Sequence, residues 1–278
     1  MSPRPPDSID ADIARALAED GADADLSAAA IPPQRPIEAR VIAREAGVLC
    51  GCPWFERAFA AVEPGIRIDW THGDGDAIGA NDTVCTLCGP ARGLFTAERT
   101  ALNFLQLLSG VATATRACVD AVAGTGVMIL DTRKTLPGLR AAQKYAVTCG
   151  GGANHRMGLH DGAMLKENHL HAAGGIAAAV NAIRRAHPTA PLTVEVETLG
   201  QVREALAAGA DRLLLDNFAL ADLRTAVAET AGRAHLEASG GITQDDLAAI
   251  AATGVDSISI GALTKHVRAL DLSLRFAP

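Results

Sequence analysis

The chain has 278 residues, a formal net charge of −7, 49% hydrophobic residues and only 3% aromatic ones. That length suits one large α/β domain, or one with a smaller companion. The acidic balance excludes a broad basic nucleic-acid face, and the scarcity of aromatics excludes a stacking platform for single strands. No apolar run approaches the roughly 20 residues that span a bilayer, and residues 1–7 are polar and proline-rich, without a signal-peptide core. A cytoplasmic protein with no membrane partner is expected.

In chain order, the spacing of apolar residues predicts an amphipathic helix over 9–19, then a Gly/Asp/Ala loop over 21–25. Residues 37–49 read as a strand pair, 53–62 as a short helix, and 66–72, 77–78 and 83–87 as strands broken by the turn Gly73-Asp74-Gly75-Asp76. Together they predict an antiparallel α+β unit ending near Gly93. A long helix follows, with Thr96 as its cap, Glu98 in its first turn and Leu102, Leu105, Leu108 and Val111 along its apolar stripe, ending at Gly124-Thr125-Gly126. Cys50-Gly51-Cys52 and Cys85-Thr86-Leu87-Cys88 fit zinc knuckles poorly and fall in strand-like sequence, so these cysteines, like Cys118 and Cys149, read as reduced core thiols.

Beyond residue 126 the pattern alternates. Strands are predicted at 127–130, 163–165, 192–196, 212–215, 235–238 and 257–260, with helices at 140–147, 172–186, 199–208, 219–230 and 244–252. Short buried strands alternating with helices imply a parallel sheet. Polar groups stand at the end of every strand: Asp131, Lys166, Glu195 with Glu197, Asp216, Ser239 and Gly261. In an α/β barrel all strand ends converge on one site, whereas an open doubly wound sheet gathers only those at its switch point. The expected fold is therefore α/β: a sandwich packed on an incomplete, open barrel of parallel strands.

Three groups of residues carry chemistry. Arg133, Lys134, His155, Arg156 and Lys166 form a cationic set in an acidic chain. Guanidinium forks and ammonium groups match carboxylate and phosphate oxygens, so the ligand is expected to be a small polyanion. Ser239-Gly240-Gly241-Ile242 and Ile260-Gly261-Ala262 place glycines after a strand and before a helix, one of them capped by Thr243, where freed backbone N–H groups can bind phosphate. Glu195 and Asp216, at neighbouring strand ends, offer two carboxylates for Mg²⁺. No Ser/His/Asp or Cys/His nucleophile arrangement emerges.

These motifs come in a characteristic order: Glu98-Arg99-Thr100-Ala101-Leu102-Asn103, Ser109-Gly110-Val111-Ala112-Thr113, Asp131-Thr132-Arg133-Lys134-Thr135-Leu136-Pro137-Gly138, Asn154-His155-Arg156, Glu195-Val196-Glu197, Leu215-Asp216-Asn217-Phe218 and Ser239-Gly240-Gly241-Ile242. In that order the chain resembles, over nearly its whole length, the quinolinate phosphoribosyltransferase family. The resemblance implies an N-terminal sandwich over 1–110, joined by the C-terminal tail 267–278, and an open barrel over 111–266 that carries the active site. It implies phosphoribosyl transfer from 5-phosphoribosyl 1-pyrophosphate to quinolinate with decarboxylation, giving nicotinate mononucleotide, CO2 and pyrophosphate, with Mg²⁺ as cofactor. It further implies a homodimer, or a larger assembly of dimers, in which Arg99 completes the neighbour's site. Thr132, Arg133, His155, Arg156 and Lys166 would bind substrate, the last four holding the quinolinate carboxylates. Lys134 would lie near the phosphoribosyl donor, and Ser239, Gly240, Gly241 and Gly261 would hold the 5′-phosphate. Lys134, Lys166, Glu195 and Asp216 would form the catalytic set, Glu195 and Asp216 serving the metal.

Two rivals remain. One is a relative encoded beside molybdate-transport systems that acts on another heterocyclic acid; the other is a non-catalytic phosphometabolite-binding regulator. The intact Asp131 to Gly138 run and Asn154-His155-Arg156 weigh against the first, and Lys166, Glu195 and Asp216 against the second.

Overall fold

The computed structural model describes residues 3–276. Met1, Ser2, Ala277 and Pro278, which the sequence reading assigned to the start of the chain and to the C-terminal tail, lie outside the described residues. The chain divides into two compact units. One comprises the chain up to Arg116 with Thr135–Gly151 and the stretch from Leu263; the other comprises Ala117–Lys134 and Gly152–Ala262.

The first unit begins with α1 (Ile9–Asp20), closed by Gly21 in the left-handed region. It continues through β1 (Pro36–Ala43), β2 (Gly47–Val48), α2 (Cys52–Val62), β3 (Arg67–Trp70), β4 (Ala77–Ile78) and β5 (Thr83–Pro90). Residues 37–49 do hold two strands, but they do not pair with each other. β1 lies between β5 and the C-terminal strand in an antiparallel four-stranded sheet, while β2 pairs with β4. The core of this unit packs Trp54, Phe55 and Phe59 of α2 against sheet residues such as Val41, Cys85 and Leu87. Each Phe buried in this way contributes about 1.5–3 kcal/mol. Burying Trp54 leaves an indole N–H to satisfy, and Asp12 Oδ2 accepts it at 3.1 Å, with Arg15 compensating the carboxylate at 2.8 Å.

The turn at 73–76 does more than reverse the chain. Asp74 Oδ1 accepts the backbone N–H groups of Gly51 and Cys52 at the start of α2 (2.9 and 3.0 Å), and its Oδ2 accepts the Tyr145 hydroxyl at 2.7 Å. A carboxylate at that helix end satisfies donors the helix cannot pair itself. All six cysteines are free thiols, and burial pushes those of Cys50, Cys52, Cys85 and Cys118 up.

Helix α3 (Ala91–Ala121) starts five residues before the expected cap. Thr96 is inside it and donates to Asp25 Oδ2 at 2.7 Å instead of capping. Strand β5 runs straight into the helix at Pro90, and Gly93 sits in the first turn because a Cβ there would stand 2.3 Å from that of Glu63. What reads locally as a terminator is a point of close approach.

The rest of the chain forms β6 (Met128–Leu130), α4 (Arg140–Cys149), β7 (Ala163–Leu165), α5 (Glu167–Ala173), α6 (Ile176–Ala186), β8 (Leu192–Val196), α7 (Leu199–Ala207), β9 (Arg212–Asp216), α8 (Leu220–Thr230), β10 (His235–Ser239), α9 (Leu247–Ala251), β11 (Ser257–Ser259), α10 (Ala262–Lys265) and β12 (Leu272–Phe276). Strand β12 pairs antiparallel with β1, from Ala43 opposite Leu272 to Ala39 opposite Phe276. The single helix expected over 172–186 is two, because Gly174 and Gly175 take φ of +84° and +118° and break it.

In the second unit six parallel strands run in the order β6-β11-β10-β9-β8-β7. The first strand lies beside the last, as a ring requires, yet β6 and β7 do not pair, so the barrel is open. Helices α6, α7 and α9 pack on its outer face. Among the described residues no helix is long and apolar enough to cross a membrane.

Gly110 offers a test of the first unit's packing. A Cβ there would stand 2.1 Å from the Arg268 carbonyl oxygen, where the C-terminal segment crosses α3. Helix propensity alone favours Ala over Gly by about 1 kcal/mol, but overpacking of this kind costs about 1–3 kcal/mol, and the obstacle is backbone. Gly110→Ala should therefore destabilise the protein in urea unfolding; a stabilised variant would show that the segment yields.

Candidate active site

Side chains on a strand alternate between faces, so one face of each barrel strand points inward. On β10 the inward residues are His235, Glu237 and Ser239, while Leu236 and Ala238 are buried on the other face. Register carries the pattern across the sheet: Glu237 lies opposite Leu214 and Ser257, Ser239 opposite Asp216, and Leu214 opposite Glu195. Inward residues of β7, β8, β9, β10 and β11, with Thr132 just beyond β6, line a single cavity of about 340 Å³. A sheet all of whose strands reach one cavity is curled around it.

Nine of the anticipated residues meet there. Thr132, Arg133 and Lys134 follow β6; His155 and Arg156 come from the next loop; Lys166 follows β7; Glu195, Asp216 and Ser239 end β8, β9 and β10. Gly240 and Gly241 line a neighbouring hollow of about 270 Å³ that shares Ser239. Gly261 abuts the cavity wall, since a Cβ on it would stand 2.8 Å from Lys134 Cδ. Arg99 is elsewhere, exposed on α3 in the first unit.

The loop bearing His155 is strapped to the free edge of β6. Ala153 donates to Ile129 O at 2.8 Å and accepts from Asp131 N at 3.2 Å, and the fully buried Asp131 takes the His155 backbone N–H on Oδ1 at 2.9 Å. His155 Nδ1 in turn accepts the Arg156 backbone N–H at 2.7 Å, which places the ring proton on Nε2. Arg156 donates Nη1 to Gly162 O at 2.8 Å. Burial, and then the charge of Arg133, push the Arg156 pKa down, outweighing the pull of Asp161. Two guanidinium groups crowded in this way favour an anion between them.

Carboxylates face these cations. Lys166 Nζ is ion-paired with Glu195 Oε2, and Asp216 Oδ2 accepts from Asn217 Nδ2 at 2.8 Å. Asn217 takes a left-handed φ of +56° and donates its backbone N–H to Ser239 O at 2.9 Å. Gly240 and Gly241 follow with φ of +102° and +54°, and Thr243 caps the next turn through Asp246, donating its hydroxyl at 2.6 Å and its backbone N–H at 2.9 Å. Successive positive-φ glycines before a helical turn leave backbone N–H groups for an anion.

Several cavity residues escaped the sequence reading. Glu237, Ser259, Met164 and Leu214 line the cavity; Asp131, one of the expected strand-end groups, is fully buried and holds the His155 loop. The signal for Glu237 was present: a charge two residues before Ser239, on the same face of a strand otherwise apolar.

Residues 25–109 match the N-terminal domain of quinolinate phosphoribosyl transferase and residues 111–275 match its C-terminal domain. The chain belongs to the quinolinate phosphoribosyl transferase family. A nicotinate-nucleotide pyrophosphorylase [carboxylating] of Mycobacterium leprae is 43% identical over 272 residues, covering 94% of this chain and 95% of that protein. Quinolinate phosphoribosyltransferase [decarboxylating] 1b of Nicotiana tabacum is 40% identical, covering 94% and 80%. Among solved structures, the nicotinate-nucleotide pyrophosphorylase of Francisella tularensis superposes with a TM-score of 0.96 at 43% identity, covering 99% of this chain and 98% of that one.

The backbone at Gly240 gives a direct check on the packing of this loop. A Cβ there would stand 2.2 Å from Asn217 Oδ1 and 2.7 Å from its backbone nitrogen, at a φ where side chains are strained. At Gly209 φ is also positive, +81°, but the surrounding space is open. Gly209→Ala should cost about 1 kcal/mol from backbone strain alone, and Gly240→Ala about 3 kcal/mol from strain and clash combined. Chemical denaturation of the two variants reads the difference; equal losses would mean that the Asn217 contact is not tight.

Proposed function

We infer that the protein transfers the 5-phosphoribosyl group of phosphoribosyl pyrophosphate to the ring nitrogen of quinolinate and releases CO2, yielding nicotinate mononucleotide and pyrophosphate. The observation that carries this reading is one cavity that joins a crowded cationic wall, Arg133, Arg156 and Lys166, to two strand-end carboxylates and the start of a glycine loop. A pyridine diacid and a phosphorylated sugar are the two anions that such a cavity accommodates side by side.

In this reading Arg133 and Arg156, with Lys166, hold the two carboxylates and orient the ring, while His155 forms part of the wall. Thr132 and Lys134 border the donor's side, and Ser239, Gly240, Gly241 and Gly261 take its 5′-phosphate. Attack by the pyridine nitrogen at the anomeric carbon passes through a sugar with oxocarbenium character, and Glu195 or Asp216 offsets that positive charge from a fixed position. The positive charge of the quaternary ring nitrogen then stabilises the electron pair left at C2 as CO2 departs, and a proton from solvent takes up that pair to form the C2–H bond of the product. No covalent nucleophile is required.

Glu195 and Asp216 also suit Mg²⁺, which uses one or two carboxylates and completes its octahedron with substrate phosphates and water. The fit rests on the donor set: two carboxylates line the cavity and the loop glycines adjoin it. When bound, the ion neutralises charge on the departing pyrophosphate. In the free protein Lys166 holds Glu195, so a diacid that draws Lys166 away also releases a carboxylate for the metal.

Turnover is read by supplying quinolinate, phosphoribosyl pyrophosphate and Mg²⁺ and following nucleotide and CO2 together. Equal amounts of both, lost on chelation and not formed from nicotinate, are expected. A folded protein that makes neither would contradict the assignment and favour another heterocyclic acid.

We also assign Arg99, exposed on α3, to the site of a second subunit in a homodimer. Arg99→Ala and Lys166→Ala homodimers should each be nearly inactive. If Arg99 acts in trans, a randomly mixed population holds one intact site in each heterodimer and recovers about a quarter of wild-type activity. Verified heterodimers without activity would place Arg99 in its own subunit's site, and fully active Arg99→Ala homodimers would place it in none.

A further inference from the structure

Glu237 is the group that the proposed chemistry leaves unused. It is fully buried on the inner face of β10, yet it lines the cavity. Burying a carboxylate costs several kcal/mol unless it is well paired, and neither Glu237 oxygen completes an aligned hydrogen bond. His155 Nε2 stands 3.2 Å from Oε2, and Arg212 Nη1 stands 4.0 Å from it. Burial works against the charge, but His155, then Ser259 and Arg212, outweigh it and hold the carboxyl below its ordinary range. An apolar residue would fill this place at lower cost, so a carboxylate here needs a reason.

His155 supplies one. Its backbone N–H is taken by Asp131 and its Nδ1 by the Arg156 N–H, so the remaining ring position, the protonated Nε2, faces Glu237. Two hydrogen bonds thus fix the residue, and its third point, Nε2, stands 3.2 Å from the buried Glu237 carboxylate in an electrostatic contact. Arg156 is next in sequence, and its guanidinium leaves this segment to reach Gly162 O.

We propose that Glu237 is a positioning residue for the diacid pocket: by holding the His155 ring at Nε2, it fixes the His155-Arg156 segment and hence the direction in which Arg156 meets a substrate carboxylate. The identity of that substrate rests on the function inferred above; the hold on the ring does not. Glu237 touches no reacting atom in this scheme and acts through His155.

The test compares full-length Glu237→Gln and Glu237→Leu. Long-range ¹H–¹⁵N spectra of the imidazoles, with the His155 signal assigned by its loss in His155→Gln, should show an Nε2–H proton shifted downfield and slow to exchange in the wild type and in Glu237→Gln, and one that exchanges readily with solvent in Glu237→Leu. The KM for quinolinate should rise about 20-fold in Glu237→Leu and about threefold in Glu237→Gln, the KM for phosphoribosyl pyrophosphate staying within about twofold, as expected for loss of one charge-assisted contact. In a His155→Gln background, Glu237→Leu should add no more than about twofold, because the two residues act as one unit. An unchanged quinolinate KM in Glu237→Leu, a parallel rise of both KM values, or additive effects in the double variant would overturn the proposal. If Glu237→Leu does not fold, the wild-type spectrum decides: a His155 Nε2–H that exchanges readily with solvent refutes the hold. A wild type that does not turn over quinolinate defeats the functional reading instead, and the spectra still decide whether Glu237 sets the ring.

Discussion

Two guanidinium groups share one cavity, and the rest of the second unit is arranged around that fact. Burial lowers the pKa of Arg156, and the charge of Arg133 lowers it further. Like charges this close are unfavourable unless an anion lies between them or carboxylates stand nearby. The cavity provides the carboxylates: Glu195 against Lys166, and Glu237 beneath His155 and Arg212. In the free protein Lys166 and His155 thus already face carboxylates. In the function proposed above, the charge that meets the diacid is present before it arrives and does not have to be assembled on binding.

An open barrel of parallel strands makes this possible because its alternation is strict. Each strand sends apolar residues outward to the helices, Val194, Leu213, Leu215 and Leu236 among them, and reserves its inner positions for Glu195, Leu214, Asp216 and Glu237. The gap between β6 and β7 has a use as well. Because β6 has a free edge, the segment at Ala153 can add to it, and that addition brings His155 and Arg156 to the cavity mouth. A closed ring would leave no place for it.

The six barrel strands were legible in the sequence to within about a residue, since a short run of Leu, Val and Ile bounded by a polar strand end has few other readings. Where the sequence misled, a distant contact overrode a local signal. Gly93 and Thr96 look like a helix boundary, but Glu63 needs the glycine and Asp25 needs the threonine. Residues 37–49 contain two strands whose partners, β4, β5 and β12, are chosen by the tertiary fold and by no feature of the stretch itself. At the site, the cationic residues stood out because they interrupt an acidic chain. Glu237 did not, because a single glutamate in a strand is ordinary until the register shows which face it occupies. The organisation of the family's motifs in sequence is therefore most informative at strand ends, and least so for the buried groups beneath them.

In the proposed function, a charged wall that exists in the free protein recognises two carboxylates. Calorimetric titration with quinolinate and with nicotinate, which lacks the second carboxylate, measures this directly. Loss of one charge-assisted pair is worth about 1.5–3 kcal/mol, so quinolinate should bind at least about tenfold more tightly. That advantage should vanish in Arg133→Ala. Equal affinity of the wild type for the two acids would contradict the account, because the crowded guanidinium groups would then serve some purpose other than holding a diacid.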